Sequence, residues 1–310
     1  MADIVISEFM DDAAVTKLSR KFDVVYDPKL IDRPQDLLEM VVEARGLIVR
    51  NRTQVRGALL ENCRALRVVG RLGIGLDNID LEGCRQRNIQ VFPASGANTT
   101  AVKEYVIGAL LTLFRHCFDV TDEVLAGSWP RERLLHKEIS GHQLGLIGFG
   151  NIAREVAFAA RALGMTVAAC DPYIGSSEPV WSQTAVTCMT FEELLSTSDA
   201  VSLHVPMTEQ TRNIIDAQAI SLMRPASYLI NSSRGGIVDE TALADALRRG
   251  ALAGAVLDVF EEEPLPPDSV LAGVPNIVLT PHVAGVTEES NRRVSAVTAE
   301  NVRRVLQGNT

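Results

Sequence analysis

Three segments carry residues that packing explains poorly, and each follows a short apolar run. In Ile230-Asn231-Ser232-Ser233-Arg234-Gly235-Gly236 an arginine stands between a strand-like run and two glycines. A guanidinium held there can grip a carboxylate through two parallel hydrogen bonds and polarise an adjacent carbonyl. A plain salt bridge to Asp239 or Glu240 is the competing explanation. In Leu257-Asp258-Val259-Phe260-Glu261-Glu262-Glu263-Pro264 three acids follow the run, and in Leu279-Thr280-Pro281-His282-Val283-Ala284-Gly285 a histidine does. A histidine paired with a carboxylate can take the hydroxyl proton of an alcohol while a hydride leaves the same carbon. Residue types leave open which of Glu261, Glu262 and Glu263 is that carboxylate.

A hydride needs an acceptor, and a fourth segment has the form of a dinucleotide site. The apolar strand from Leu144 leads into Gly148-x-Gly150-x-x-Ala153, a helical stretch runs from Ala153 to Leu163, and a second strand, Met165 to Cys170, ends at Asp171. That acid lies about 20 residues past the glycines, which completes the dinucleotide fingerprint. Gly148 permits the tight turn, and Gly150 lets the backbone approach a pyrophosphate facing the free N–H groups of the helix N-terminus. Ala153 is small enough for the helix to pack closely on the strand. Asp171 can accept hydrogen bonds from the adenosine ribose hydroxyls and repel a 2'-phosphate, which predicts NAD over NADP.

The elements that must position these residues form two alternating series. Before the fingerprint, strand candidates Asp3 to Ser7, Phe22 to Tyr26, Gly46 to Val49, Leu66 to Gly70 and Ile89 to Phe92 alternate with helical segments. These lie around Asp12 to Arg20, Pro34 to Ala44, Arg56 to Cys63 and Leu81 to Arg87. That rhythm is one of a parallel sheet with crossover helices. A long apolar helix follows from Thr99 to about Asp122, then an irregular, charged arm from Ala126 to Gly141. The second series adds strands Ala200 to His204, Ser227 to Asn231, Ala253 to Asp258 and Ile277 to Leu279. Its helices lie around Phe191 to Thr197, Ala217 to Met223, Asp239 to Arg249 and Ser290 to Leu306. All three chemical segments therefore follow strands of the sheet that bears the fingerprint, at the edge where open parallel sheets bind ligands.

Bulk properties narrow the class. The 310 residues suffice for two domains, and 46% hydrophobic with 22% charged residues is a globular composition. A net charge of -9 without a basic block argues against nucleic-acid binding. The N-terminus has no basic stretch or apolar signal core, and the run Tyr105 to Phe114 is far short of the ~20 residues of a membrane span. These features predict a cytoplasmic protein that engages no membrane. Five cysteines, Cys63, Cys84, Cys117, Cys170 and Cys188, show no C-x-x-C spacing, so buried free thiols are expected, with neither a disulfide framework nor a metal site.

The chain resembles the D-2-hydroxyacid dehydrogenase superfamily, the group that includes 3-phosphoglycerate dehydrogenase. The likeness runs through Gly70-Arg71-Leu72-Gly73-Ile74-Gly75-Leu76-Asp77-Asn78-Ile79-Asp80, Asn98-Thr99, the Gly148 fingerprint, His204-Val205-Pro206 and the Arg234, Glu263 and His282 segments. The resemblance implies that Arg234 orients the substrate, His282 is the acid-base and Glu263, the acid directly before the proline, tunes it. It also implies that Asp258 meets the nicotinamide side. Ile74, Asn151, Ile152, Val205, Ser232, Ser233 and Gly285 would then lie around the dinucleotide, while the N–H groups of Gly73 and Ile74 meet the substrate carboxylate. The implied architecture is α/β with two doubly wound parallel-sheet domains. A Rossmann NAD domain, 99–284, is inserted into a flavodoxin-like substrate domain, 1–98 plus 285–310, in a homodimer. No appended regulatory domain is expected after residue 310.

The resemblance also bears on the substrate. In phosphoglycerate dehydrogenases the loops matching Arg50, Arg71 and Arg131 help to hold a distal anion, and Arg50-Asn51-Arg52-Thr53 is similar to the sulfolactate dehydrogenase branch. A 2-hydroxy acid with a second anionic group is therefore expected, bound by Arg50, Arg52 and Arg71, with Arg131 and Arg133 in the arm as further cations. The alternatives are a simple monoanionic 2-hydroxy acid, or an NAD(H)-sensing binding protein comparable to the corepressors that resemble these enzymes.

Overall fold

The computed structural model describes residues 2–118 and 120–308. Contacts divide the chain into two units, Met1–Asn98 with Val286–Thr310, and Thr99–Gly285. Gly285 groups with the second of these.

The first unit is a five-stranded parallel sheet of β1 (Ile4–Ile6), β2 (Val24–Tyr26), β3 (Gly46–Val49), β4 (Val68–Arg71) and β5 (Gln90–Pro93). Its order, β2-β1-β3-β4-β5, is that of a flavodoxin-like fold. Period-two alternation sends Val5, Leu47, Val49 and Val69 to one face and Ile4, Ile6, Ile48 and Val68 to the other. The second face is covered by the helix Glu288–Leu306 through Val294, Val302, Val305 and Leu306. That helix rests on the backbone of β4, because a Cβ at Gly70 would lie 2.7 Å from both Thr298 Cγ2 and Val302 Cγ2.

The second unit is a seven-stranded parallel sheet of β6 (Gln143–Ile147), β7 (Thr166–Cys170), β8 (Thr187–Cys188), β9 (Ala200–Leu203), β10 (Tyr228–Asn231), β11 (Gly254–Leu257) and β12 (Ile277–Leu279). The order β12-β11-β10-β9-β6-β7-β8 is the Rossmann arrangement, with its topological switch point between β6 and β9. Every residue of β9, β10 and β11 is buried, as expected for parallel strands covered by helices on both faces. Leu144 and Leu146 pack with Val156 and Ala160 of the helix Asn151–Ala162 and with Leu110 and Phe114 of Thr99–Arg115. Ile147, Leu203, Leu229 and Leu257 pack on the opposite side with Leu194, Leu243 and Leu247. Each such side chain contributes roughly 1.5–3 kcal/mol of burial, so the strand ends that carry chemistry rest on a rigid base.

Two local features differ from the sequence reading. The helix from Thr99 ends at Arg115, short of Asp122, because His116 turns to a φ of 37°, a left-handed conformation that a helix cannot continue through. Asp119, in the same stretch, lies outside the described residues. Between β7 and Phe191 the chain forms the short helix Pro179–Thr184 and then β8, both too brief to leave a period in the sequence. The cysteines are free, but only Cys63 and Cys84 are buried, while Cys117, Cys170 and Cys188 are half-buried. Burial pushes the Cys63 and Cys170 thiols up to about 11. No helix among the described residues is long and apolar enough to cross a membrane.

Candidate active site

His282 and Glu263 meet at the carboxyl edge of the second sheet, with His282 Nδ1 2.7 Å from Glu263 Oε2. Glu263 Oε1 accepts a further hydrogen bond from Phe260 N at 3.1 Å, which aims the carboxylate at the imidazole. Burial alone would raise the Glu263 carboxyl. The hydrogen bond and charge of His282, the Phe260 N–H and the Arg234 charge outweigh it and hold the group below the ordinary carboxylate range. Glu263 is therefore ionised at neutral pH, and its pairing is lost only as pH falls through that lowered range.

Asp258 fixes the loop that bears the histidine. Its carboxylate is fully buried and accepts from Thr280 Oγ1 (2.6 Å), Val283 N (2.8 Å) and Ala284 N (2.7 Å). Its carbonyl accepts from His282 N at 2.8 Å. These bonds hold His282 at a φ of 55°, a conformation that a non-glycine residue keeps only when its surroundings impose it. Thr280 Oγ1 also pairs with Tyr105 Oη at 2.6 Å. Burial pushes that phenol up to about 12, so it stays protonated as a hydrogen-bond donor. The sequence placed Asp258 on the nicotinamide side. The structure engages three of its acceptor positions with protein groups, leaving one lone-pair direction on Oδ2.

The Arg234 loop is held by Asn231, whose side chain accepts from Ser233 N at 3.0 Å and donates to Arg234 O at 2.9 Å. Arg234 Nη1 donates to Ser233 O at 2.6 Å, and Ser233 Oγ to Leu203 O. Asp239 caps a helix through Ala242 N at 2.9 Å, and Glu240 accepts from Glu261 N at 2.8 Å. Gly235 presses directly on the acidic loop. A Cβ there would lie 1.6 Å from Phe260 O and 2.1 Å from Phe260 C. The loops bearing Arg234 and Glu263 can adjoin only because residue 235 has no side chain.

The fingerprint residues fit a dinucleotide. Gly148 has a φ of 86°, and a Cβ on it would lie 2.6 Å from His204 O and 2.8 Å from Val205 Cγ1, so the two loops lie flush. Space beside Gly150 is open, and Asn151–Ala162 begins without a side-chain cap, which leaves its first N–H groups to a phosphate. Ser232 Oγ is buried with no hydrogen-bond partner among the described residues, as expected of a group that awaits a ligand. Asp171 takes an additional part: Oδ2 accepts from Phe149 N (2.8 Å) and Oδ1 from Tyr173 N (2.9 Å), so the acid also shapes the glycine loop. Phe149 is stacked on Trp181, with centroids 4.9 Å apart, and its carbonyl accepts from Arg154 Nε at 3.0 Å. His204 is half-buried, desolvation pushes its imidazole down to about 4, and Nε2 lies 3.0 Å from Ser202 Oγ. Ile152, Val205, Ser233 and Gly285 are half-buried along the same loops and helix start, and Asn151 is exposed.

In the first unit Arg50 and Arg52 follow β3, Arg71 ends β4, and Gly73 and Ile74 follow it. Arg50 Nη2 donates to Asn291 Oδ1 at 2.9 Å, and its guanidinium lies 5.8 Å from the Phe9 ring centroid. Arg52 is exposed and paired with Asp32 at 2.6 Å. Arg71 Nη1 donates to Leu72 O at 3.0 Å and folds over Gly73, where any side chain would collide with it. The Gly73 N–H, expected as a donor to a substrate carboxylate, closes a tight turn on Arg71 O at 2.8 Å. In the arm Arg131 is exposed and Arg133 pairs with Glu123 at 2.5 Å. No cluster of three or more His, Cys, Asp or Glu that could hold a metal occurs among the described residues.

Residues 107–284 match the D-isomer specific 2-hydroxyacid dehydrogenase, NAD binding domain. The chain is 52% identical over 306 residues to the (S)-sulfolactate dehydrogenase of Chromohalobacter salexigens, covering 99% of both chains. It is 38% identical over 274 residues to the D-3-phosphoglycerate dehydrogenase of Methanocaldococcus jannaschii, covering 88% of this chain and 52% of that one. The chain thus spans about half the length of that phosphoglycerate dehydrogenase. Among solved structures, D-lactate dehydrogenase from Aquifex aeolicus complexed with NAD and lactic acid superposes with a TM-score of 0.86 at 26% identity, covering 99% and 96% of the two chains. The paired parallel sheets and the fingerprint define an NAD-dependent oxidoreductase class, and within it this chain belongs to the D-isomer specific 2-hydroxyacid dehydrogenase family.

The contact at Gly235 yields a direct test. Gly235→Ala forces the Arg234 and Glu263 loops apart by about an ångström, which is expected to lower kcat on the order of 10²-fold. NADH binding, followed by fluorescence, and the folded far-UV spectrum should persist. Unchanged turnover would show that the two loops need not touch.

Proposed function

We propose that the protein transfers a hydride between NAD and a 2-hydroxy acid bearing a second anionic group, 3-sulfolactate or 3-phosphoglycerate, interconverting it with the 2-oxo acid. The observation that carries this reading is the 2.7 Å His282–Glu263 pair, set beside the Arg234 loop on the sheet that bears the fingerprint. NAD, when bound, supplies the hydride acceptor or donor. Arg234 holds the substrate carboxylate and polarises the reacting oxygen. With Nδ1 of His282 turned to Glu263, Nε2 is the nitrogen that takes the hydroxyl proton in oxidation and returns it in reduction. The Glu263 charge stabilises the protonated imidazole and fixes the ring.

In this reading the dinucleotide is held by Ile74, Gly148, Gly150, Asn151, Ile152, Asp171, Val205, Ser232, Ser233 and Gly285. Asp258 offers the carboxamide its one remaining lone-pair direction. Arg50, Arg52 and Arg71 take the distal anion, and Ile74 N–H meets the carboxylate. The sulfolactate and phosphoglycerate dehydrogenase relatives support a dianionic substrate. The free cysteines support a reducing, cytoplasmic setting. A homodimer built on the arm is supported by Trp129 and Leu135, each more than 70% exposed, an apolar surface that a lone chain leaves in water.

Three measurements test this reading. His282→Ala should lower turnover by on the order of 10² to 10⁴ with NADH binding retained, and Glu263→Gln should lower it less while shifting the pH profile of oxidation. Near-normal turnover in His282→Ala would assign the proton to another group. Arg71→Ala should lower kcat/KM for 3-sulfolactate or 3-phosphoglycerate roughly ten- to a hundredfold and leave lactate nearly unchanged. Equal losses, or none, would return the choice to a singly charged acid. Sedimentation at micromolar concentration should give a species of about twice the 33.6 kDa chain mass, and a lone 33.6 kDa species would remove the dimer.

A further inference from the structure

Glu8 is only 4% exposed, and nothing in the proposed chemistry uses it. It lies just beyond the carboxyl end of β1, and β3 is the adjacent strand, with Ile6 opposite Ile48. In the order β2-β1-β3-β4-β5 the connections leave β1 and β3 in opposite directions, so the ligand crevice of such a sheet opens between these two strand ends. The stretch Arg50 to Thr53 follows β3 at that place. Three of its four backbone N–H groups donate to Glu8: Arg50 N (2.9 Å) and Thr53 N (3.0 Å) to Oε1, and Arg52 N (3.1 Å) to Oε2.

The other side of the same turn is held by Asn78, which is also buried. Its Nδ2 donates to Thr53 O at 2.7 Å and to Arg50 O at 3.3 Å, while Thr53 Oγ1 pairs with Ser7 Oγ at 2.9 Å. A turn of neighbouring N–H groups is a ready-made anion cradle, and here the chain fills it with its own carboxylate. The Arg50 side chain remains directed by Asn291 and Phe9. Burial pushes its guanidinium below the ordinary value while the nearby Glu8 charge raises it, so the two charges belong to one local system.

We propose that Glu8, with Asn78 on the opposite side, is a positioning residue that sets specificity for the substrate's second anion. By occupying the N–H cradle, Glu8 prevents the loop from binding an anion through its backbone and leaves recognition to the guanidinium groups whose stems the loop directs. An arginine side chain reaches a group one substituent farther out than a backbone N–H does, so the clamp favours a distal sulfonate or phosphate over a bare 2-hydroxy acid. This inference rests on the distal-anion reading proposed above.

Glu8→Gln is a nearly isosteric probe. The amide oxygen can keep the Arg50 and Thr53 N–H groups, but the amide nitrogen then presents a donor to the Arg52 N–H, so one contact of three is lost. The expected result, measured with NAD present, is a rise in KM for 3-sulfolactate and 3-phosphoglycerate on the order of tenfold with kcat retained, and kcat/KM for lactate within about twofold. Asn78→Ala loosens the same turn from its carbonyl side and should give the same split, which keeps the test available if Glu8→Gln does not fold. Equal losses on both substrate classes, or no loss on either, overturn the role given to Glu8. Arg71→Ala separates the two levels. If it discriminates between substrate classes and neither clamp variant does, the inference alone fails. If Arg71→Ala does not discriminate, the distal-anion reading fails and the clamp's role falls with it.

Discussion

The second unit depends on one buried carboxylate. Asp258 directly follows β11 and holds three groups of the loop that follows β12, while its carbonyl holds the His282 N–H. An ionisable side chain is costly to remove from water unless its acceptor capacity is filled, and here the loop fills most of it. The same bonds that satisfy Asp258 force His282 into a left-handed backbone, so one arrangement both solvates a buried acid and aims an imidazole. A histidine on a mobile loop would meet Glu263 only part of the time. Here it is held at hydrogen-bond distance from Glu263.

Close backbone approach does the rest of the positioning. At Gly235 and Gly148 the absent side chain is not merely a source of flexibility, since each position lies against the carbonyl of another loop at a distance no Cβ tolerates. The first contact sets the Arg234 loop against the acidic loop, and the second sets the fingerprint against the loop after β9. Asp171 adds a tie from β7 to the same fingerprint. Loops from β6, β7, β9, β10 and β11 are thus joined pairwise by glycine contacts and short hydrogen bonds rather than by a common core.

The first unit applies the same principle to a different end. Its sheet carries no catalytic pair, but its switch point holds arginines whose backbone is fixed by a buried acid and a buried amide. In both units a buried carboxylate is satisfied by loop N–H groups. Rigidity in the supporting turn lets long, flexible arginine stems be aimed at less entropic cost.

What the sequence determined by itself is whatever short contiguous patterns encode. Alternating apolar runs and turn residues placed nearly every strand, and the Gly148 to Asp171 spacing falls within the segment that matches an NAD binding domain, because backbone turn, helix start and acid recur at a fixed distance in such a fingerprint. Arg234, Glu263 and His282 were legible as residues that packing does not explain, and family resemblance chose Glu263 from three neighbouring acids. The tertiary structure decided what depends on partners far along the chain. Glu8 reaches residues more than 40 positions away, and Asp258 reaches 25 and 26 positions to Val283 and Ala284. Nothing local distinguishes such acids from surface ones. The Gly73 N–H depends on the fold in a similar way: a glycine-rich loop suggests open donors, but this one closes a turn on Arg71 O, because the direction of each N–H is set by the fold around it. The short helix that contains Trp181 and the early end of the helix at Arg115 follow the same rule, since a single turn or a single left-handed residue leaves no period to read.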